Sequence, residues 1–206
     1  MRVSSCLRVC VIVCLTHRIS AMPADRDLIE VKLTDIRPNA EHSRDILALE
    51  PRLELKTTQS LDAAFTLSID IYNSGPTETI ILNPLDSLSL SVFRNGVDLS
   101  LKPDLQRILG HSGSGKFPPR PFNVVEMTSA GQSVTQQDAE AARIRVLPKS
   151  HYRVKFQIDR IKKDPKDPTS QEWLKVSPGD YELRVWFLVG TRSFASERFN
   201  VSVPNK

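Results

Sequence analysis

Residues 110–122 read GHSGSGKFPPRPF, which superposes two kinds of chemistry. From Gly110 the stretch spells G-x-x-x-x-G-K, the opening of a phosphate-binding loop. That chemistry needs Ser or Thr after the lysine to hold Mg²⁺, and a helix starting there so that its amides and dipole meet the phosphate. Lys116 is followed instead by Phe117 and Pro118-Pro119, which forbid the helix. Read as GHSGS, the same stretch places Ser112 where a hydrolase nucleophile sits, but its fifth position is Ser114 rather than Gly. A nucleophile elbow also needs a strand before it and a helix after it. Its base would have to be His151 or His42, and the sequence places no acid to orient either. The four histidines, at 17, 42, 111 and 151, have no ligand spacing, and Asp164 and Asp167 beside Lys163 lack a D-x-D-x-D-G pattern. These residues point to no enzyme, no cofactor and no metal, and they make 110–122 a loop.

The elements around that loop are constrained by composition. All three cysteines, Cys6, Cys10 and Cys14, fall in the first 21 residues, so the rest of the chain can form neither disulfides nor thiolate sites. The opening, MRVSSCLRVCVIVCLTHRISAMPA, has a basic start, an apolar run from Val9 to Leu15 and a small residue at Ala21. That pattern predicts a secretory signal over 1–21 and an exported protein, periplasmic or extracellular; the alternative is a cytoplasmic protein starting at Met22. The apolar run is too short for a membrane span. Taking Arg2, Arg8 and Arg18 from the 28 basic residues leaves 25 against 24 acidic ones, which gives no field for nucleic acid. An aromatic content of 6% offers no platform for stacking bases.

Beyond Met22 the apolar residues recur with period two, the signature of half-buried antiparallel strands. Ile29, Val31 and Leu33 alternate with charged neighbours, and Leu53 and Leu55 mark a short strand. In AAFTLSIDIYN, Phe65, Leu67, Ile69 and Ile71 face one way while Thr66, Ser68 and Asp70 face the other. Strands follow at Thr79–Leu82, Leu88–Val92, Val97–Leu101, Phe122–Met127, Tyr152–Ile158, Tyr181–Phe187 and Phe194–Val203. Asp138 to Arg143 forms one helical turn or a loop, and Asn95-Gly96 joins two strands in a tight hairpin. About nine strands without a long helix predict an all-β, antiparallel two-sheet sandwich, immunoglobulin-like, in one domain over 25–204. Val176-Ser177-Pro178-Gly179-Asp180-Tyr181 looks like a tyrosine corner, in which a phenol bonds back to the backbone just upstream. Asn200-Val201-Ser202 matches a glycosylation acceptor within a strand.

The order SIDIYNSGPTETIIL, LSVFRNGVDL, LPKSHYRVKFQID and VSPGDYELRVWF resembles the BsuPI-type intracellular proteinase inhibitor domain and related bacterial immunoglobulin-like modules. The resemblance covers Ala63 to Phe199. It departs at Pro148-Lys149-Ser150, where the family has Gly after Pro, and at the insertion Lys102–Arg120. Asn83-Pro84 and Arg120-Pro121-Phe122 also resemble two loop motifs of chagasin-like cysteine-peptidase inhibitors, in the wrong order. With no acid–base or metal constellation, the sequence predicts a non-catalytic exported module that binds a protein partner through loops or a sheet edge, with a peptidase inhibitor of sandwich type as the alternative. The insertion spans nineteen residues, well beyond the roughly 4–6 of ordinary connections. Its Arg107, Ile108, Leu109, Lys116, Phe117 and Arg120 combine positive charge with apolar surface and are the expected partner contacts; Phe117–Phe122 contains P-x-x-P and favours a stiff extended exit.

Overall fold

The computed structural model describes residues 28–58, 64–98, 123–135, 137, 141–158, 160–162 and 173–204. Among them the chain is all-β, and every strand pairing is antiparallel. One six-stranded sheet runs, in spatial order, β1 (Leu28–Val31), β3 (Leu49–Thr58), β4 (Ala64–Asn73), β11 (His151–Ile158), β8 (Asn123–Ser129), β9 (Gln132–Ser133). The other runs β2 (Leu33–Asp35), β15 (Arg192–Ser196), β14 (Gly179–Val189), β6 (Ser89–Arg94), β7 (Val97–Asp98), with β16 (Phe199–Val203) also paired to β14. Two short pairs complete it: β5 (Thr79–Leu82) with β10 (Arg143–Val146), and β12 (Arg160–Lys162) with β13 (Trp173–Lys175). Single helical turns α1 (Arg44–Leu47) and α2 (Pro84–Ser87) join strands.

Alternation in the sequence becomes burial in the structure. Phe65, Leu67, Ile69 and Ile71 of β4 are sealed from solvent, as are Val154, Phe156 and Ile158 of β11. From the other sheet, Leu90, Val92, Leu183, Val185 and Val201 join them in one apolar cluster. Phe65 meets the Tyr181 ring edge-on, centroids 5.2 Å apart, which ties the two sheets directly. The arrangement is consistent with a β-sandwich.

Three local features show why the chain folds this way. Asn95 and Gly96 both take positive φ, 52° and 76°, so β6 and β7 close through the two-residue turn that the pair demands. Tyr181 Oη donates to the Ser177 carbonyl at 2.6 Å and accepts from the Ser177 amide at 3.2 Å, so the phenol does bond back across the Pro178-Gly179 turn. Arg94, running beneath from β6, donates to Ser177 Oγ and to the Pro178 carbonyl and covers the phenol ring.

Several elements differ from the sequence reading. β10 begins at Arg143, where a helical turn or loop was expected. The run at Ile29, Val31 and Leu33 is divided between β1 and β2, which lie in different sheets. The short strand at Leu53 and Leu55 is ten residues long and runs through Pro51. The Ser74 amide donates to the Ala48 carbonyl, which puts even-numbered residues of β3 in hydrogen-bonded pairs with β4. Pro51 therefore turns its missing donor away from β4, on a side that β1 does not reach, since β1 pairs only with residues 53–56. The final strand, expected to be continuous over Phe194–Val203, is broken into β15 and β16. Their registers on β14 differ by one residue, which is a β-bulge. Ser196 fills it: its Oγ accepts from the Val185 amide at 3.0 Å, in place of a ladder bond.

Candidate functional site

The outward face of the first sheet carries the residues that alternate with the core. Register aligns them in rows across β3, β4, β11 and β8: Arg52, Asp70, Arg153 and Thr128 form one row, and Glu54, Ser68, Lys155 and Glu126 the next. Ser68 is short among long charged neighbours, so the rows enclose a depression of about 460 Å³. Its best-organised group is Asp70. One carboxylate oxygen meets His151 Nδ1 at 2.9 Å, and the other accepts from Arg153 Nε at 3.0 Å. Tyr72 packs on the imidazole, centroids 4.7 Å apart.

The sequence therefore misled on one point, because an acid does orient His151. The reason is register: Asp70 is 81 residues away and meets His151 only because β11 lies antiparallel on β4 with His151 opposite Tyr72. An oriented imidazole is the base half of a hydrolytic site. The other half requires a hydroxyl or thiol within hydrogen-bond reach of the ring. Among the described residues no hydroxyl bonds to His151, and no three His, Cys, Asp or Glu side chains are gathered for a metal ion. The face presents a pattern of charges in which Asp70, His151 and Arg153 are held by mutual bonds.

The second histidine, His42, is part of a clasp between the β2–α1 connection and the β14–β15 turn. Its Nδ1 lies 3.0 Å from Thr191 Oγ1 and its Nε2 lies 3.4 Å from the Arg37 carbonyl oxygen, which requires Nε2 to donate. Asp35 accepts from the Arg37 amide and from Arg192 Nε, both at 3.0 Å, and Arg192 also donates to the Leu49 carbonyl. Burial pulls the Asp35 carboxyl upward, but the Arg37 amide, the Arg192 bond and charge, and the nearby His42 outweigh it and hold it below its ordinary value.

Two buried asparagines hold the β5–β10 pair in place. Asn73 donates to the carbonyls of Thr77 at 2.9 Å and Val146 at 3.0 Å, and accepts from the Gly75 amide at 2.9 Å. Asn83 donates to the Ala141 carbonyl and accepts from Leu85, capping α2. In the sequence Asn73-Ser74-Gly75-Pro76 and Asn83-Pro84 are local turn patterns, and neither signals these long-range bonds. Beside β10, a groove of about 320 Å³ separates it from the β8–β9 hairpin, with Ile144, Val134 and Tyr152 among its lining.

The expected partner contacts Arg107, Ile108, Leu109, Lys116, Phe117 and Arg120, together with Ser112, lie outside the described residues, as does the leader 1–21. Asn200 is exposed on β16, with Ser202 bonded to Asp180. Among the described residues no helix is long and apolar enough to cross a membrane. Compared with known proteins, the chain matches no family model, no curated protein and no solved structure.

Proposed function

We propose that the chain is an exported, non-catalytic binding module: one immunoglobulin-like β-sandwich domain over 25–204 that contacts a protein partner through loops and strand edges. The observation that carries this reading is the setting of His151. The described residue most resembling a catalytic base is held by Asp70 in a cross-strand lattice, packed against Tyr72, and among the described residues it bonds to no nucleophile. Such a lattice fixes charges on a rigid face, and rigid faces with long connecting loops serve recognition. The Tyr181–Ser177 bond supports the immunoglobulin-like part of the reading, since a tyrosine corner pins crossovers in such sandwiches.

Crosslinking in the native host, followed by purification, tests the proposal. The expected result is one stoichiometric protein partner, recovered from the exported fraction and lost on replacing Ile108–Phe117 with a short glycine bridge. A purified chain that turns over peptide or ester substrates, with activity removed by H151A, overturns it. Stoichiometric inhibition in a peptidase panel assigns the module to the inhibitor class instead.

A further inference from the structure

We infer that the outer edge of β10 accepts a strand from a partner protein, an extended segment whose residues alternate acidic and apolar. The inference rests on the binding-module reading and names the partner's chemistry at one edge. Its first support is the phase of the β5–β10 ladder. The Asn83 amide donates to the Ala142 carbonyl at 2.8 Å, in register with Arg143 opposite Leu82. Ala142, Ile144 and Val146 therefore turn their backbone groups to β5, while Arg143 and Arg145 turn theirs away. Among the described residues no strand pairs with that outer side. An unpaired row of amides and carbonyls is a template for an added strand.

The side chains select the occupant. Arg143 and Arg145 both stand on the outward face, and Ile144 points inward. Among the described residues Arg143 has no acidic partner, and Arg145 reaches only Glu78, at 3.5 Å, with its side chain 72% exposed. In an added strand, residues opposite the arginines share their outward face, and the residue between them points in beside Ile144. Opposite charges facing each other across strands attract, and like charges repel. The fitting sequence is therefore acid–apolar–acid, with its apolar side chain entering the groove of about 320 Å³ between β10 and the β8–β9 hairpin. Ile80, opposite Arg145 and 54% exposed, adds apolar surface beneath the outward row. The same charges disfavour a second copy of this chain, because antiparallel pairing of β10 with itself would set arginine against arginine.

The probe is fluorescein-labelled Glu-Val-Glu-Val-Glu amide, titrated with the full chain at low salt and followed by fluorescence anisotropy. Saturable binding is expected, weakened at least tenfold in R143E/R145E, a pair of exposed positions whose exchange should leave the melting temperature in place. The Lys-Val-Lys-Val-Lys counterpart should not bind. Of two peptides N-methylated on alternate residues, one should lose binding, since one set of amides must face β10; this arm needs no variant of the protein. Absence of saturation to millimolar protein, equal binding of the lysine peptide, or retention by both methylated peptides overturns the inference. A dimer in sedimentation that R143E/R145E dissolves assigns the edge to a second copy and overturns it too. Failure here with a crosslinked partner retained rejects the edge alone, whereas turnover rejects the binding module itself.

Discussion

Replacing Asn73 by alanine should cost more stability than its place in a surface turn suggests. Its side chain is fully buried and makes three hydrogen bonds to backbone groups of three separate residues. Two of these, to the Val146 carbonyl and from the Gly75 amide, are buried. Alanine leaves the Gly75 amide with no acceptor, and stranding a buried polar group costs about 1–3 kcal/mol. Losing the bonds to Val146 and Thr77 adds roughly 0.5–1.5 kcal/mol each. The expected loss is about 3 kcal/mol, which at an m-value near 2 kcal/mol per molar corresponds to a urea midpoint lowered by about 1.5 M. The melting temperature should fall by roughly 6–12 °C.

The aspartate variant separates lost bonds from lost packing. N73D keeps the shape and the acceptor for Gly75, but points a carboxylate oxygen at two carbonyls. Burial and that repulsion raise the carboxyl's folded pKa above its unfolded value. The penalty is therefore small below the unfolded pKa and grows as pH rises through the folded one. Equilibrium urea unfolding of wild type, N73A and N73D at pH 4 and pH 7 measures all of this. An N73A unfolding free energy within about 0.5 kcal/mol of wild type, or an N73D deficit that does not grow with pH, refutes the reasoning.

Y181F should lose about 1–2 kcal/mol, because it strips the Ser177 carbonyl of its donor, while the circular dichroism spectrum stays that of wild type. G190A should destabilise by about 1–3 kcal/mol: Gly190 has φ 62°, and a Cβ there would overlap the end of the Ile46 side chain. Amide exchange should then quicken around 43–48, where Ile46 sits in α1, ahead of exchange in β4 and β11. Acidification should release the Asp35 clasp. A lowered carboxyl contributes stability that is present above its ordinary value of 3.8 and is lost as pH falls through the depressed folded one. D35N should therefore be less stable than wild type at pH 6, by about 1.5 kcal/mol, and indistinguishable from it at the acid end of a pH series of urea melts.

What the sequence disclosed and what it withheld divide by distance along the chain. Alternation at Phe65–Ile71 identified the buried face of β4 because a strand's side-chain period is two whatever lies beside it. Asn95-Gly96 identified its hairpin because positive φ is a demand on two adjacent residues. Tyr181 announced its bond to Ser177 because donor and acceptor are four residues apart. The strand at Leu53 and Leu55 reads as short from its local pattern, and it extends through Pro51 because the phase of β3 on β4 turns the missing amide away from β4, beyond the residues that β1 pairs. Ser196 carried no signal at all: its hydroxyl matters because β15 and β16 share one edge of β14 out of register. The Asp70–His151 pair was hidden for the same reason, since register across 81 residues is set by the whole sheet.

The edge proposed for a partner strand shows the same boundary in a functional setting. Arg143 was expected in a helical turn or loop and begins β10 instead, and a strand's being an edge is a property of topology. That topology is held by the two asparagines: Asn73 grips the Val146 carbonyl at one end of β10, and Asn83 grips Ala141 and Ala142 at the other. All three bonds come from the β4–β5–α2 side, so they anchor β10 without occupying the groups that Arg143 and Arg145 turn away. Stability and recognition are thereby coupled through one short strand. A peptide that binds the native edge and not the unfolded chain must raise the unfolding free energy by mass action. The increment appears in N73A as in wild type, provided the loosened strand keeps its register. If N73A lets β10 slip, the arginines and Ile144 exchange faces, and the acidic peptide loses the pattern it reads.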